Sequence, residues 1–183
     1  MYLEEITLQN EHVILSPLRH KHANALLDAA SDGQLWNIWY TSVPSRETIA
    51  TYINHALTTQ QHGTALPFVV IDKRNGQIVG TTRFYDFDDK SQRLLLGYTW
   101  YAQSVQRSAV NTSCKLLLLQ HAFETLQCVA VEFRTHWINQ RSRNAIARLG
   151  AKQDGILRRH MKMPDGSYRD TVVFSILDNE CQP

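Results

Sequence analysis

Leu94-Leu95-Leu96-Gly97-Tyr98-Thr99-Trp100-Tyr101, then Gln106-Arg107-Ser108-Ala109-Val110-Asn111-Thr112, then Lys115-Leu116-Leu117-Leu118-Leu119-Gln120-His121-Ala122-Phe123 read as strand, turn and helix. The first piece is aromatic and apolar and too short for a helix. The third repeats Leu116, Leu119, Phe123 and Leu126 at helical spacing, which predicts an apolar face there. A helix start leaves its first four N–H groups without internal partners, and the aligned peptide dipoles place roughly half a positive charge beside them. A polar turn feeding such a start suits an anion, above all a phosphate.

Upstream, Ile6, Leu8, Val13 and Leu15 alternate with polar residues, which predicts a first strand with a turn or bulge at Asn10-Glu11. Ser16-Pro17 has the chemistry of a helix start, and Leu18, His22, Ala25, Leu26 and Ala29 continue one helical face as far as Ser31-Asp32-Gly33. The aromatic segment Leu35 to Pro44 either caps the core or lines a pocket; capping is the commoner fate of large aromatics. Ser45 offers an N-cap for a second helix that closes at Gln60-Gln61-His62-Gly63. Phe68 to Ile71, the turn Lys73-Arg74-Asn75-Gly76 and Ile78 to Tyr85 predict a hairpin, and Leu94 to Tyr101 extends it to three strands. After the third helix, Val129, Val131 and Phe133 alternate with Ala130, Glu132 and Arg134. A strand returning through a helical crossover can lie parallel to the earlier one, and such a pair makes a cleft. Asn139 to Ala151 is a short polar helix with a glycine stop, and two strands joined at Pro164-Asp165-Gly166 form a final hairpin.

The 183 residues, 43% of them hydrophobic, suffice for one domain with a real core. With 19 basic and 17 acidic residues the net charge is only +2, which gives no support for a nucleic-acid or membrane partner. Cys114, Cys128 and Cys181 are widely spaced and form no metal-binding pattern, so they read as reduced thiols of a cytoplasmic protein. The amino terminus lacks a basic start and an apolar run, and export and membrane insertion are not expected. No Gly-x-x-x-x-Gly-Lys-Ser/Thr loop is present, which disfavours nucleotide hydrolysis.

Gln106-Arg107-Ser108-Ala109-Val110-Asn111 resembles the Gln/Arg-x-x-Gly-x-Gly/Ala pyrophosphate loop of the GNAT acetyltransferases, although Ala109 and Asn111 depart from its small-residue positions. Asn139-x-x-Ser142, followed by a helix ending in Leu149-Gly150-Ala151, is similar to the segment after the fifth strand in that family, particularly in the branch of ribosomal-protein amino-terminal acetyltransferases. The element order β-α-α-β-β-β-α-β-α-β-β from Leu8 to Leu177 agrees. The resemblance implies an α+β (mixed α/β) GNAT fold: a mostly antiparallel sheet, a splayed parallel pair at strands four and five, and helices on both faces. It also implies direct acetyl transfer from acetyl-CoA, without a metal, to a protein amino terminus or a small-molecule amine, and leaves room for a homodimer. A cofactor-binding sensor without transfer activity, or an interaction domain without a cofactor, is the alternative.

On that resemblance the loop Gln106 to Thr112 holds the pyrophosphate through N–H groups that alanine supplies as well as glycine does, with Arg107 either adding charge or simply solvated. Thr99, Trp100 and Tyr101 present backbone groups to the pantetheine arm and the developing oxyanion, and Asn139 binds the cofactor arm. The amine must attack as the neutral base. At pH 7 this costs about 4.6 kcal/mol for a lysine but only about 1 to 1.4 for an α-amino group. Glu132 and His160 are the candidate bases; Glu132 has a competing role as an ion-pair partner of Arg134, and His160 as a hydrogen-bonded core residue. Ser142 matches the position of the acid that protonates the leaving thiolate, with helix capping as its structural alternative; Tyr101 is a poorer acid candidate. Trp36, Trp39, Tyr85 and Trp100 are candidate pocket walls.

Overall fold

The computed structural model describes residues 3–180. Those residues form an eight-stranded sheet in the order β1-β2-β3-β4-β5-β6-β8-β7. The strands are β1 (Leu8–Gln9), β2 (Val13–Pro17), β3 (Leu66–Asp72), β4 (Gln77–Asp88), β5 (Arg93–Tyr101), β6 (Ala130–His136), β7 (Lys152–Lys162) and β8 (Tyr168–Leu177). Helices α1 (Ala23–Ser31), α2 (Ile49–Gln61), α3 (Ala109–Gln120) and α4 (Gln140–Ala147) fill the connections. Neighbouring strands are antiparallel except β5 and β6, which are parallel because α3 carries the chain back to the same end of the sheet. This is the mixed α/β fold expected, with its first strand broken into a hairpin whose turn is closed by Asn10, where Oδ1 accepts from the N–H groups of His12 and Val13.

The Lys73–Gly76 turn forms as read, with Gly76 at φ 71° and the buried Asp72 carboxylate accepting from the Arg74 backbone and guanidinium. Gly150, at φ 90°, ends the turn after α4. Three expectations are corrected. Ser16-Pro17 does not open a helix: Ser16 and Pro17 pair with Val69 and Phe68, so β2 runs on, and α1 begins only after a 3-10 turn at His20–His22. Pairing with a buried strand outweighs a local start signal, and Pro17 is tolerated because it ends its strand. Ser45 sits in a turn before α2, where Thr48 is the N-cap without a side-chain bond to the helix. Finally, α3 buries Val110, Cys114, Leu118 and Leu119, whereas Leu116 is exposed.

Residues from both sheet faces build the core. Phe68, Phe84 and Phe133 are fully buried, each contributing about 2 to 3 kcal/mol by removal from water, and Phe68 meets Phe84 edge to face. The α3 side carries Thr82, Phe84, Thr99 and Phe133, against which His121 and Lys115 pack. The α2 side carries Thr81, Arg83 and Trp100, all touching Tyr52. Cys114 and Cys128 are buried free thiols, while Cys181 lies outside the described residues.

Candidate active site

The site begins where β5 and β6 part. They pair only at Arg93 to Leu95 against Ala130 to Glu132, and β5 then continues from Leu96 to Tyr101 without a partner on that edge. A bulge between Gly97 and Trp100 helps the divergence. Gly97 faces Arg83 and Trp100 faces Thr81, which leaves Tyr98 as the extra residue in the left-handed region at φ 51°.

At the mouth of this cleft the chain turns through Gln103–Val105 into α3. Ser108 is the N-cap; its Oγ accepts from the N–H of Val110 at 3.3 Å. The N–H groups of Ala109 and Asn111 make no hydrogen bond to another described residue. Neither residue has a positive φ; Arg107, at φ 64°, supplies the left-handed turn instead. The departures from glycine at positions 109 and 111 therefore need no unusual backbone, because the strain is borne two residues earlier. Arg107, Gln106 and Arg141 line a hollow of about 430 Å³ with Gly33, Leu35, Ile38 and Gln103. Arg141, from α4, donates to Gln106 Oε1, and Gln106 Nε2 donates to the Tyr101 carbonyl at 2.8 Å. The two guanidiniums line this hollow, the amides of Ala109 and Asn111 open α3 two to four residues after Arg107, and this donor set fits a pyrophosphate. Thr112 is exposed in the first turn of α3.

Flanking α4 at the far side, Asn139 is its N-cap, with Oδ1 accepting from the Ser142 N–H at 3.1 Å. Capping is thus done by Asn139, and the Ser142 hydroxyl carries no such duty. Trp36 and Trp39 do not cap the core: they are 37% and 60% exposed, and Trp39 rests edge-on against His136 at the end of β6. Trp100 is buried, its indole N–H pointing to the Tyr52 hydroxyl at 3.3 Å. Tyr101 is buried on the α3 side near Cys114, and burial holds its phenol protonated.

The α2 face of the cleft holds a group of polar side chains that the sequence alone did not bring together. Both carboxylate oxygens of Glu132 accept from guanidinium, Oε2 from Arg93 at 2.8 Å and Oε1 from Arg134. Its partnership with Arg134 is therefore present. His160 Nδ1 lies 3.0 Å from Thr171 Oγ1, and its pKa is lowered by desolvation and by the nearby Arg134 and Arg169 charges. A histidine so placed is neutral near pH 7 and able to accept a proton. Tyr85 meets Tyr98 edge to face at 5.0 Å, and burial keeps its phenol protonated. Arg83, only 2% exposed, lies 4.1 Å from the centroid of the Tyr98 ring, and its Nε has no hydrogen-bond partner. Arg83, Tyr98, Arg169 and Arg141 were not singled out in the sequence; the available signal was a lone arginine inside a strand of otherwise apolar and threonine residues, and a tyrosine beside Gly97.

On the opposite face, Thr99 Oγ1 is 2.9 Å from Thr82 Oγ1 and accepts from Lys115 Nζ at 2.8 Å. Burial pulls the lysine down to about 8, so at pH 7 this buried amine is still mostly the charged ammonium, donating to Thr99.

Comparison with known proteins agrees with this geometry. A family model for the acetyltransferase (GNAT) domain matches residues 12–152. Over 106 residues the chain is 26% identical to YdaF of Bacillus subtilis (strain 168), named as a ribosomal N-acetyltransferase; the match covers 58% of this chain and 57% of that protein's length. A GCN5-related N-acetyltransferase from Brucella melitensis superposes with a TM-score of 0.88 at 29% identity, covering 98% of this chain and 82% of the other. RimJ of Mycobacterium smegmatis, solved in complex with CoA-disulfide, superposes with a TM-score of 0.79 over 97% of this chain and 88% of its own; at 22% identity the likeness is one of fold. The parted strand pair, the helix start at its mouth and a domain match across most of the sequence agree: the chain belongs to the GNAT acetyltransferase family.

Proposed function

We propose that the protein binds acetyl-CoA in the cleft between β5 and β6 and transfers the acetyl group directly to an amine, either a protein amino terminus or a small molecule. The observation that carries this is the parting of the two strands after Leu95, with the donor amides of Ala109 and Asn111 and the Arg107 and Arg141 guanidiniums at its mouth. The name of YdaF supports a ribosomal-protein amino terminus among the acceptors. When bound, acetyl-CoA supplies the acyl carbon: a C–N bond forms as the C–S bond breaks, the amine loses one proton, and the sulfur gains one.

The chain's own groups suit these proton movements. His160, neutral near pH 7, receives the amine proton through water, and an α-amino acceptor asks far less of it than a lysine does. Ser142, whose backbone rather than hydroxyl serves the α4 cap, is the donor toward the sulfur. Glu132 holds Arg93 and Arg134 in place and leaves the base role to His160. Thr99 to Tyr101 offer the open β5 edge to the cofactor arm.

Calorimetry with acetyl-CoA, followed by thiol release with a panel of amines, tests this reading. Saturable binding with release on at least one amine is the expected result. Binding without release on any amine would make the protein a sensor, and no binding would remove the acyl donor altogether.

A further inference from the structure

The cationic cluster on the α2 face is out of balance with its surroundings. Arg83, Arg93, Arg134 and Arg169 come from β4, β5, β6 and β8. Glu132 is already shared between Arg93 and Arg134. The exposed Asp86 is the other carboxylate that acts on Tyr85 at the centre of the group. Arg134 uses only Nε for Glu132, and Arg169 uses only Nε, for Thr171 Oγ1 at 3.2 Å. The Arg83 side chain makes no hydrogen bond to another described residue. The terminal nitrogens of all three therefore donate to no described residue.

Arg83 is the most telling member. It is buried, with its guanidinium against the Tyr98 ring at 4.1 Å and 5.7 Å from the Tyr52 ring, yet its Nε is sealed from water and unpaired. Ring faces attract the cation but accept none of its in-plane N–H bonds. A guanidinium lying over a ring offers its edge, and an edge-on fork matches a flat carboxylate bidentately. The position also separates this cluster from the anion site at the mouth. Arg83 faces Gly97 where β5 and β6 part, while Arg107, before α3, and Arg141, on α4, line the hollow at the mouth.

We propose that the acceptor amine also carries a carboxylate, which Arg83 receives together with Arg134 and Arg169 on the α2 face of the cleft. This rests on the acetyl-transfer reading above and adds the chemical class of the acceptor. A free amino acid and an amino terminus followed by an acidic side chain share that chemistry.

The test compares matched acceptors at saturating acetyl-CoA: glycine with glycinamide, and Ala-Asp-Ala-Ala-amide with Ala-Asn-Ala-Ala-amide. Calorimetry of the N-acetylated acidic peptide with the CoA-saturated protein gives a readout independent of turnover. In at least one pair kcat/KM is expected to favour the carboxylate by about tenfold or more, the scale of one charge-assisted bond; which pair responds separates the small molecule from the peptide. In R83Q, and in R169Q on a different strand and only half buried, the ratio falls toward one. Melting temperature and acetyl-CoA affinity identify which of the two variants is folded. Turnover with no carboxylate preference, a preference for cationic acceptors, or a preference that survives in a folded variant would overturn the inference and leave the transferase reading standing. Failure to bind acetyl-CoA would instead overturn the reading beneath it.

Discussion

His160 and Arg107 show how single side chains are tuned by their surroundings. Desolvation and the charges of Arg134 and Arg169 lower the His160 pKa from 6.5, so the acid limb of the activity should fall below that value. H160Q is expected to cut kcat/KM by roughly a hundredfold at pH 7 and to abolish the limb; an unchanged pH–rate profile would return His160 to a structural role beside Thr171. Arg107 sits at φ 64°, which costs a residue with a Cβ about 1 kcal/mol or more relative to glycine. R107A and R107G should both weaken acetyl-CoA binding, most clearly at low salt. Urea titration should find R107G more stable than R107A by about 1 kcal/mol, and equal stabilities would mean that the loop relaxes out of the left-handed region. The loop was legible because its function lies in contiguous backbone. The arginine cluster was not: residues 83, 134 and 169 lie far apart along the chain, on β4, β6 and β8, and each sits in an alternation that says only which face it occupies.

At the level of elements, the hairpin signals and glycine stops could be read because turn geometry is local, as Gly76 and Gly150 show with their positive φ values. Phase in α3 could not, since a run of four leucines fits any face. Val110, Cys114 and Leu118 set the buried side, and Leu116 is left in solvent. The bulge in β5 was equally hidden, because it is fixed by register against β4. Gly80 is part of that register. It pairs with Tyr101, and a Cβ there would lie 2.1 Å from the Trp100 carbonyl oxygen, a backbone atom that no rotamer change can move. G80A should therefore push β4 and β5 apart and destabilise the fold by about 3 kcal/mol in urea titration. Wild-type stability in that variant would show that the two strands slide past each other freely and would weaken the account of how the cleft is held open.

Across the whole molecule, histidines make stability depend on pH above the carboxylate range. The pKa values of His22, His121, His136 and His160 are all lowered from 6.5, with desolvation the largest cause in each. As pH falls through 6.5 the unfolded chain takes up protons that the folded chain refuses, so the unfolded state binds more of them. Stability is then complete above 6.5 and is lost as pH falls through the lowered folded values. Each fully refused proton steepens the dependence by up to about 1.4 kcal/mol per pH unit. His121 and His136, at 8% and 7% exposure, should dominate, since solvent screens the others. Carboxylates act later: the Arg74 guanidinium beside Asp72 lowers its pKa below 3.8, so its contribution persists through this window. The melting temperature should drop by about 5 °C between pH 7.5 and 5.5. H121F keeps an aromatic ring stacked on Phe84 and removes the titrating group, so its melting curve should flatten over the same interval. An equally steep curve in H121F would shift the effect to His136, where Trp39 and Tyr40 cover the end of β6 and where the Arg169 charge also opposes protonation.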